Sequence, residues 1–191
     1  MEMNELLAFM SVAEKLKCTT RHSWTSSGRQ ESVAEHSWRM ALLAMAVADE
    51  FSELDMNKVI QMCLIHDLGE AVTGDIPSFY KTADDEYVEM NALNQVLGCV
   101  SGSLNEKLRA LFKEMEQLES PEAKLYKCLD KCEVVLQHNE ASLDTWIELE
   151  FSLNLTHGKK ECDEFDYMQR LRERLRQDTM IKLQKRESYE Y

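Results

Sequence analysis

Apolar residues recur along the chain at spacings of three and four, and no convincing run alternates them with polar ones. That period belongs to helices, so the pattern predicts an all-α fold. Residues 2–17 form a first amphipathic helix, and the polar stretch "CTTRHSWTSSGRQE" (18–31), without apolar period, reads as a loop. In "SVAEHSWRMALLAMAVADEF" (32–51), Ser32 and Glu35 have capping-box spacing before an apolar run, which predicts a buried, central helix. A third helix starts near Asp55 or Asn57, runs through "KVIQMCLIHDLGEAV" and stops near "TGDIP", at Gly74 and Pro77. Two more cover 83–97 and 104–118. Ser120 and Pro121 supply an N-cap and a first-turn proline for "PEAKLYKCLDKCEVVLQHNEAS", with Leu125, Cys128, Leu129, Cys132, Val135 and Leu136 as its apolar stripe. Helices over 143–155 and 160–186 finish the chain. The latter is highly charged, with Met168, Leu171, Leu175 and Ile181 on one side, to pack on the bundle or on a second subunit.

Composition narrows the class. With two prolines and six glycines in 191 residues, no internal repeat and no linker, residues 1–191 are expected to form one domain. The longest uncharged apolar run, "MALLAMAVA" (40–48), is too short to span a bilayer, so no membrane partner is expected. "MEMNELLAFM" carries two acids and no basic segment, unlike a signal peptide, and a cytoplasmic location is expected. Six cysteines form no CxxC pair and read as reduced thiols; Cys128 and Cys132, at i,i+4 without a second pair, read as buried packing rather than zinc ligands. A formal charge of −13 argues against a nucleic-acid polymer as partner, because such binding rests on basic residues. Any phosphate would be handled locally.

"LIHDLGE" (64–70) carries the first chemistry. On a continuous helix, Glu70 follows His66 by four residues and Asp67 by three, so the three line one pocket. The flanking Met62, Cys63, Leu64, Ile65 and Leu68 predict burial, where an uncompensated carboxylate is costly. A metal resolves the cost, since imidazole and carboxylate together suit divalent first-row ions. So does a core histidine hydrogen-bonded to an acid. His36 reads either as a ligand or as a surface histidine near a helix start. Asp130, mid-helix beside the apolar stripe, reads either as a ligand or as a solvated partner of Lys127.

Taken as an ordered set on separate helices, His36, His66-Asp67 and Asp130 resemble the HD-domain superfamily of metal-dependent phosphohydrolases. Within it, "RQESVAEHS" (29–37), "HDLGEAVTGDIP" (66–77) and "KCLDKCE" (127–133) are similar to the branch that includes the 5′-deoxynucleotidases. The resemblance covers about residues 5–140. It implies an HD-type helical bundle; the C-terminal helices, about 143–186, lie outside the resemblance and are expected from their spacing to pack on the bundle or on a second subunit. It also implies His36, His66, Asp67 and Asp130 as metal ligands, and a homodimer. His138 is the first histidine after His66, which favours one metal ion over two. Its identity stays open among Mn, Co, Mg, Zn and Fe.

The implied activity is removal of the 5′-phosphate from a deoxynucleoside monophosphate, with Asp67 and Glu70 at the reacting centre. Glu70 would activate the water and return a proton to the leaving oxygen; otherwise it only orients His66. Arg21 is assigned by resemblance to the phosphate, Trp24 to the pocket wall and Asp75 to the sugar. Trp24 also reads as a packing anchor and Asp75 as a turn residue. His22, His138 and His157 are expected at the surface or in packing. Alternatives are another small phosphate ester or a nucleotide polyphosphate as substrate, or a noncatalytic module that binds metal or nucleotide.

Overall fold

The computed structural model describes residues 1–77 and 79–187. Its elements run α1 (Met3–Lys15), β1 (Thr20–Trp24), β2 (Gln30–Ser32), α2 (Val33–Ala46), α3 (Met56–Ile65), α4 (Glu70–Thr73), α5 (Ala83–Leu97), α6 (Gly102–Gln117), α7 (Pro121–Glu140), α8 (Glu148–Thr156), α9 (Lys159–Cys162) and α10 (Asp166–Glu187). Short 3₁₀ turns lie at Ala48–Phe51 and Leu143–Thr145. The fold is all-α, with one small hairpin.

The capping chemistry works as the sequence predicts. Ser32 accepts from the Glu35 amide, and the Glu35 carboxylate accepts from the Ser32 amide at 2.9 Å, so α2 starts on a reciprocal box. Asp55 caps α3, and Ser120 caps α7 ahead of Pro121.

Around α7 pack α2, α3 and α10. The stripe Leu125, Cys128, Leu129, Cys132 and Val135 is fully buried, while Leu136 lies at its partly buried margin. Met40, Met62 and Met168 interdigitate with that stripe from the three neighbouring helices. Each such side chain contributes roughly 1.5–3 kcal/mol by leaving water. Of the two placements open for the last helix, the structure shows packing on the bundle: Met168 and Leu175 are buried, and Asn139 of α7 donates to the Leu175 carbonyl at 2.9 Å. Ile181 is exposed, so the apolar side is shorter than its spacing implied.

Three local expectations are corrected. The stretch 18–31 is a two-stranded antiparallel hairpin, with Thr20 opposite Ser32 and Trp24 opposite Gln30. Gly28, at φ +81°, turns the chain, and the Gly28 amide donates to the Thr25 carbonyl. Strands this short and polar leave no period to read. The third helix ends at Ile65. Beyond it, amides bond three residues back, Leu68 to Ile65 and Glu70 to Asp67, which winds His66–Gly69 into tight 3₁₀-like turns before α4. The last segment is likewise broken, into α9 and α10.

Candidate active site

His36 sits one turn into α2, behind its capping box, and is wholly buried against α7. Its Nδ1 lies 2.5 Å from Oε2 of Glu133, also wholly buried. That contact assigns the ring proton to Nδ1. Nε2 has no hydrogen-bond partner among the described residues and stands 3.5 Å from Oδ1 of Asp130. His66 is held in the same sense: Nδ1 donates to the Cys63 carbonyl at 2.9 Å, while Nε2 lies 3.0 Å from Oδ2 of Asp67. The two rings are 5.2 Å apart, and single ligand atoms of His36, His66 and Asp67 all fall within 4.8 Å of one another. Asp130 reaches the group from α7, and its Oδ2 accepts from Lys127 at 3.0 Å. So His36 is not at the surface, and the Asp130–Lys127 pair exists beside the Asp130–His36 contact.

The site is rich in buried acids. Burial alone would raise Asp67, but His66, His36 and Arg21 hold it below the usual carboxylate range. Against the same burial, Lys127 and His36 keep Asp130 low, and His36 does so for Glu133. Burial and Arg21 depress His36, yet the Glu133 and Asp130 carboxylates prevail and push it up to about 9. Glu70 goes the other way: burial first, then the charges of Asp67 and Asp75, raise it to about 9. Its Oε2 has no hydrogen-bond partner among the described residues. The carboxylates of Asp67 and Asp75 thus crowd Glu70 with like charge.

His66, Asp67, Glu70 and Asp130 border a cavity of about 880 Å³. Arg21 and Asp75 line it as well. Arg21, from β1, places Nη1 3.4 Å from Asp67 and Nε 3.5 Å from Glu31. Burial would weaken its charge, but Asp67, Asp75, Glu133 and Glu31 hold it firmly cationic. Asp75 follows Gly74, whose φ of +78° ends α4, and its Oδ2 accepts from the His22 amide at 3.3 Å. Trp24 does not border the cavity; it closes β1, and its carbonyl accepts from Gln137. The broken helix also changes how Glu70 reaches the site. With three residues per turn it stands one turn beyond Asp67 rather than in α-helical register with His66.

Several participants were not singled out from sequence. Glu133 lies one helical turn after Asp130 in the quoted "KCLDKCE", and that i,i+3 spacing was its only mark. Glu31, raised to about 7 by burial and by Glu133, looked like an ordinary surface acid. His22, His138 and His157, expected at the surface or in packing, all border the cavity. His22 and His138 converge on the buried Glu150, at 2.9 and 3.1 Å. Nothing local in the sequence links His22 to Glu150, 128 positions away.

Comparison with known proteins follows the same lines. The HD domain family model matches residues 13–187. The 5′-deoxynucleotidase HDDC2 of Dictyostelium discoideum is 33% identical over 172 residues, covering 82% of this chain and 90% of that protein. Human HDDC2, also a 5′-deoxynucleotidase, is 34% identical over 139 residues, covering 71% and 67%. Among solved structures, a predicted metal-dependent phosphohydrolase from Magnetospirillum magnetotacticum MS-1 superposes with a TM-score of 0.74 at 26% identity, covering 95% of this chain and 94% of that one.

Proposed function

The chain belongs to the HD-domain family, and from that premise we propose that it is a metal-dependent phosphomonoesterase that removes the 5′-phosphate of deoxynucleoside monophosphates. The observation that carries this reading is the unpartnered, buried Nε2 of His36, facing Asp130 beside His66 and Asp67. An unpartnered ring nitrogen among acids, each imidazole pinned through its other nitrogen, is what a cation site requires. In this reading His36, His66, Asp67 and Asp130 hold one divalent ion, drawn from Mn, Co, Mg, Zn or Fe. Bound there, such an ion supplies charge stabilisation for the phosphoryl group and acidifies water.

The remaining work falls to the chain. Arg21, buried and firmly cationic, offers its planar fork to phosphate oxygens at the cavity wall. Glu70 takes the proton of the attacking water and returns one to the leaving 5′-oxygen, so that ester and water become alcohol and inorganic phosphate. A cation at Asp67 offsets one of the charges that raise Glu70, bringing it toward a working base. Asp75 is assigned to the sugar hydroxyl and Trp24 to a supporting position at the end of β1. Bringing the phosphate past so many acids falls to Arg21 and to the cation.

Residues 1–191 act as one HD unit in this reading, supported by the match across 13–187 and by the return of α10 onto α7. No described helix is long and apolar enough to cross a membrane. A cytoplasmic location is supported by six unpaired cysteines. A homodimer is supported by the exposed apolar residues Trp38, Leu42 and Met45 along α2, and sedimentation equilibrium checks it. Phosphate release from matched deoxy- and ribonucleoside 5′-monophosphates, with Mn²⁺, Co²⁺, Mg²⁺ or Zn²⁺ and with EDTA, tests the activity. Metal-dependent release favouring the deoxy series, abolished in Asp67→Ala, is the expected result; no release from folded, metal-loaded protein contradicts it.

A further inference from the structure

Beyond the cavity, α7 buries Cys128 and Cys132 one turn apart, and α9 lays Cys162 against them. The three are 0, 0 and 1% exposed. Their sulfurs all lie within 4.8 Å of one another, with Cys132 and Cys162 3.5 Å apart, and none is in a disulfide. The close approach of α9 depends on Gly158, which has φ +75° and where a Cβ would stand 2.6 Å from Cβ of Lys131, the residue before Cys132.

Packing alone accounts for three small side chains. It does not account for Arg172 beside them, which is 4% exposed and electrostatically coupled to Cys132 and Cys162. Its Nε donates to the His157 carbonyl and its Nη2 to the Asn154 carbonyl, but Nη1 has no partner among the described residues. A buried cation with an unpaired donor destabilises a fold unless negative charge faces it.

We propose that Cys128, Cys132 and Cys162 form a closed binding site for a thiophilic closed-shell cation, Zn²⁺ or Cu⁺, with Arg172 as counter-charge to the thiolates. Sulfurs at roughly 2.3 Å from such an ion stand roughly 4 Å from each other, within the range of the present spacing, where all three lie within 4.8 Å. Binding breaks three S–H bonds, forms three metal–sulfur bonds and releases three protons, with no change of oxidation state. Zn²⁺ with three thiolates carries one negative charge, which Arg172 cancels; Cu⁺, which three sulfurs suit without a fourth donor, leaves two, of which Arg172 offsets one. Full burial makes the site structural, a clamp of α9 onto α7 separate from the acid-rich centre.

The test uses the full chain, reduced, stripped of metal and handled without oxygen. Titration with Co²⁺ is expected to give the intense near-ultraviolet absorption of thiolate-to-cobalt charge transfer, which histidine and carboxylate ligands do not produce. That band should vanish in Cys162→Ala and Cys132→Ser, and be displaced in wild type by Zn²⁺ or by Cu⁺ supplied as its acetonitrile complex. The ion that displaces it at one equivalent identifies the occupant. Cys162→Ala should bind one thiophilic ion fewer and release phosphate at the wild-type rate. Absence of the band in folded wild-type protein overturns the proposal, whatever the variants do. Equal Zn²⁺ and Cu⁺ stoichiometry in wild type and Cys162→Ala also overturns it, as does a Cys132–Cys162 disulfide in protein that takes up neither ion.

Discussion

Glu133 holds the ring of His36 from behind, 2.5 Å from Nδ1, with both side chains wholly buried. The contact orients the ring and leaves Nε2 facing the acid-rich centre; in the proposed metal site, an outer carboxylate placed this way orients and strengthens an imidazole ligand. Glu133→Gln keeps an acceptor and removes the charge. Affinity for Mn²⁺, measured by calorimetric titration, is expected to fall on the order of 10–100-fold, while the circular dichroism spectrum is retained.

Glu70 contributes no ligand in this account. Glu70→Gln should therefore leave metal affinity within about twofold and lower kcat by roughly 10²–10⁴, the usual share of a positioned proton carrier. Steady-state kinetics with a preferred deoxynucleotide, beside the metal titration, check both halves. An unchanged kcat removes Glu70 from the mechanism.

Acid stability should carry the signature of Glu35. The hydrogen bond from Arg29 lowers its carboxyl from the ordinary 4.5 to about 2, helped by the Ser32 cap. A group lowered on folding favours the folded chain once ionised, so this contribution is present above pH 4.5 and is lost as pH falls through about 2. Both side chains are well exposed, 58 and 41%, so solvent and salt screen the pair and the effect is modest. Urea midpoints measured against pH should fall less steeply in that window for Glu35→Gln, and the difference should shrink in high salt.

Gly158→Ala should destabilise the chain by about 2 kcal/mol, because it demands a left-handed residue with a Cβ where Lys131 already stands. Urea unfolding of the two proteins side by side measures this directly.

The helices were legible because their signals are local: Ser32 with Glu35, Ser120 with Pro121, and the stripe of α7 each sit within a few residues. His36, His66, Asp67, Asp130 and Glu70 stood out by type and order, though which reading of each applied was not a local matter. What stayed hidden was tertiary. Glu31 and Glu133 resemble solvated acids until His36, Arg21 and Arg39 are folded against them. The break at His66 leaves an unbroken helical period in the sequence, since the change from four-residue to three-residue bonding alters no residue type. The hairpin at 20–32 was missed because its strands are short and polar. Cys162 joins Cys128 and Cys132 only through the crossing that Gly158 permits.

The central claim is that one cation sits among His36, His66, Asp67 and Asp130. Anomalous diffraction at the manganese edge, from crystals of the full chain grown with Mn²⁺, tests it most directly. The account predicts a single strong peak within bonding distance of Nε2 of both histidines and of both aspartates, and no peak there in crystals of Asp67→Ala. A peak elsewhere, or an empty centre in folded protein at saturating Mn²⁺, would contradict it.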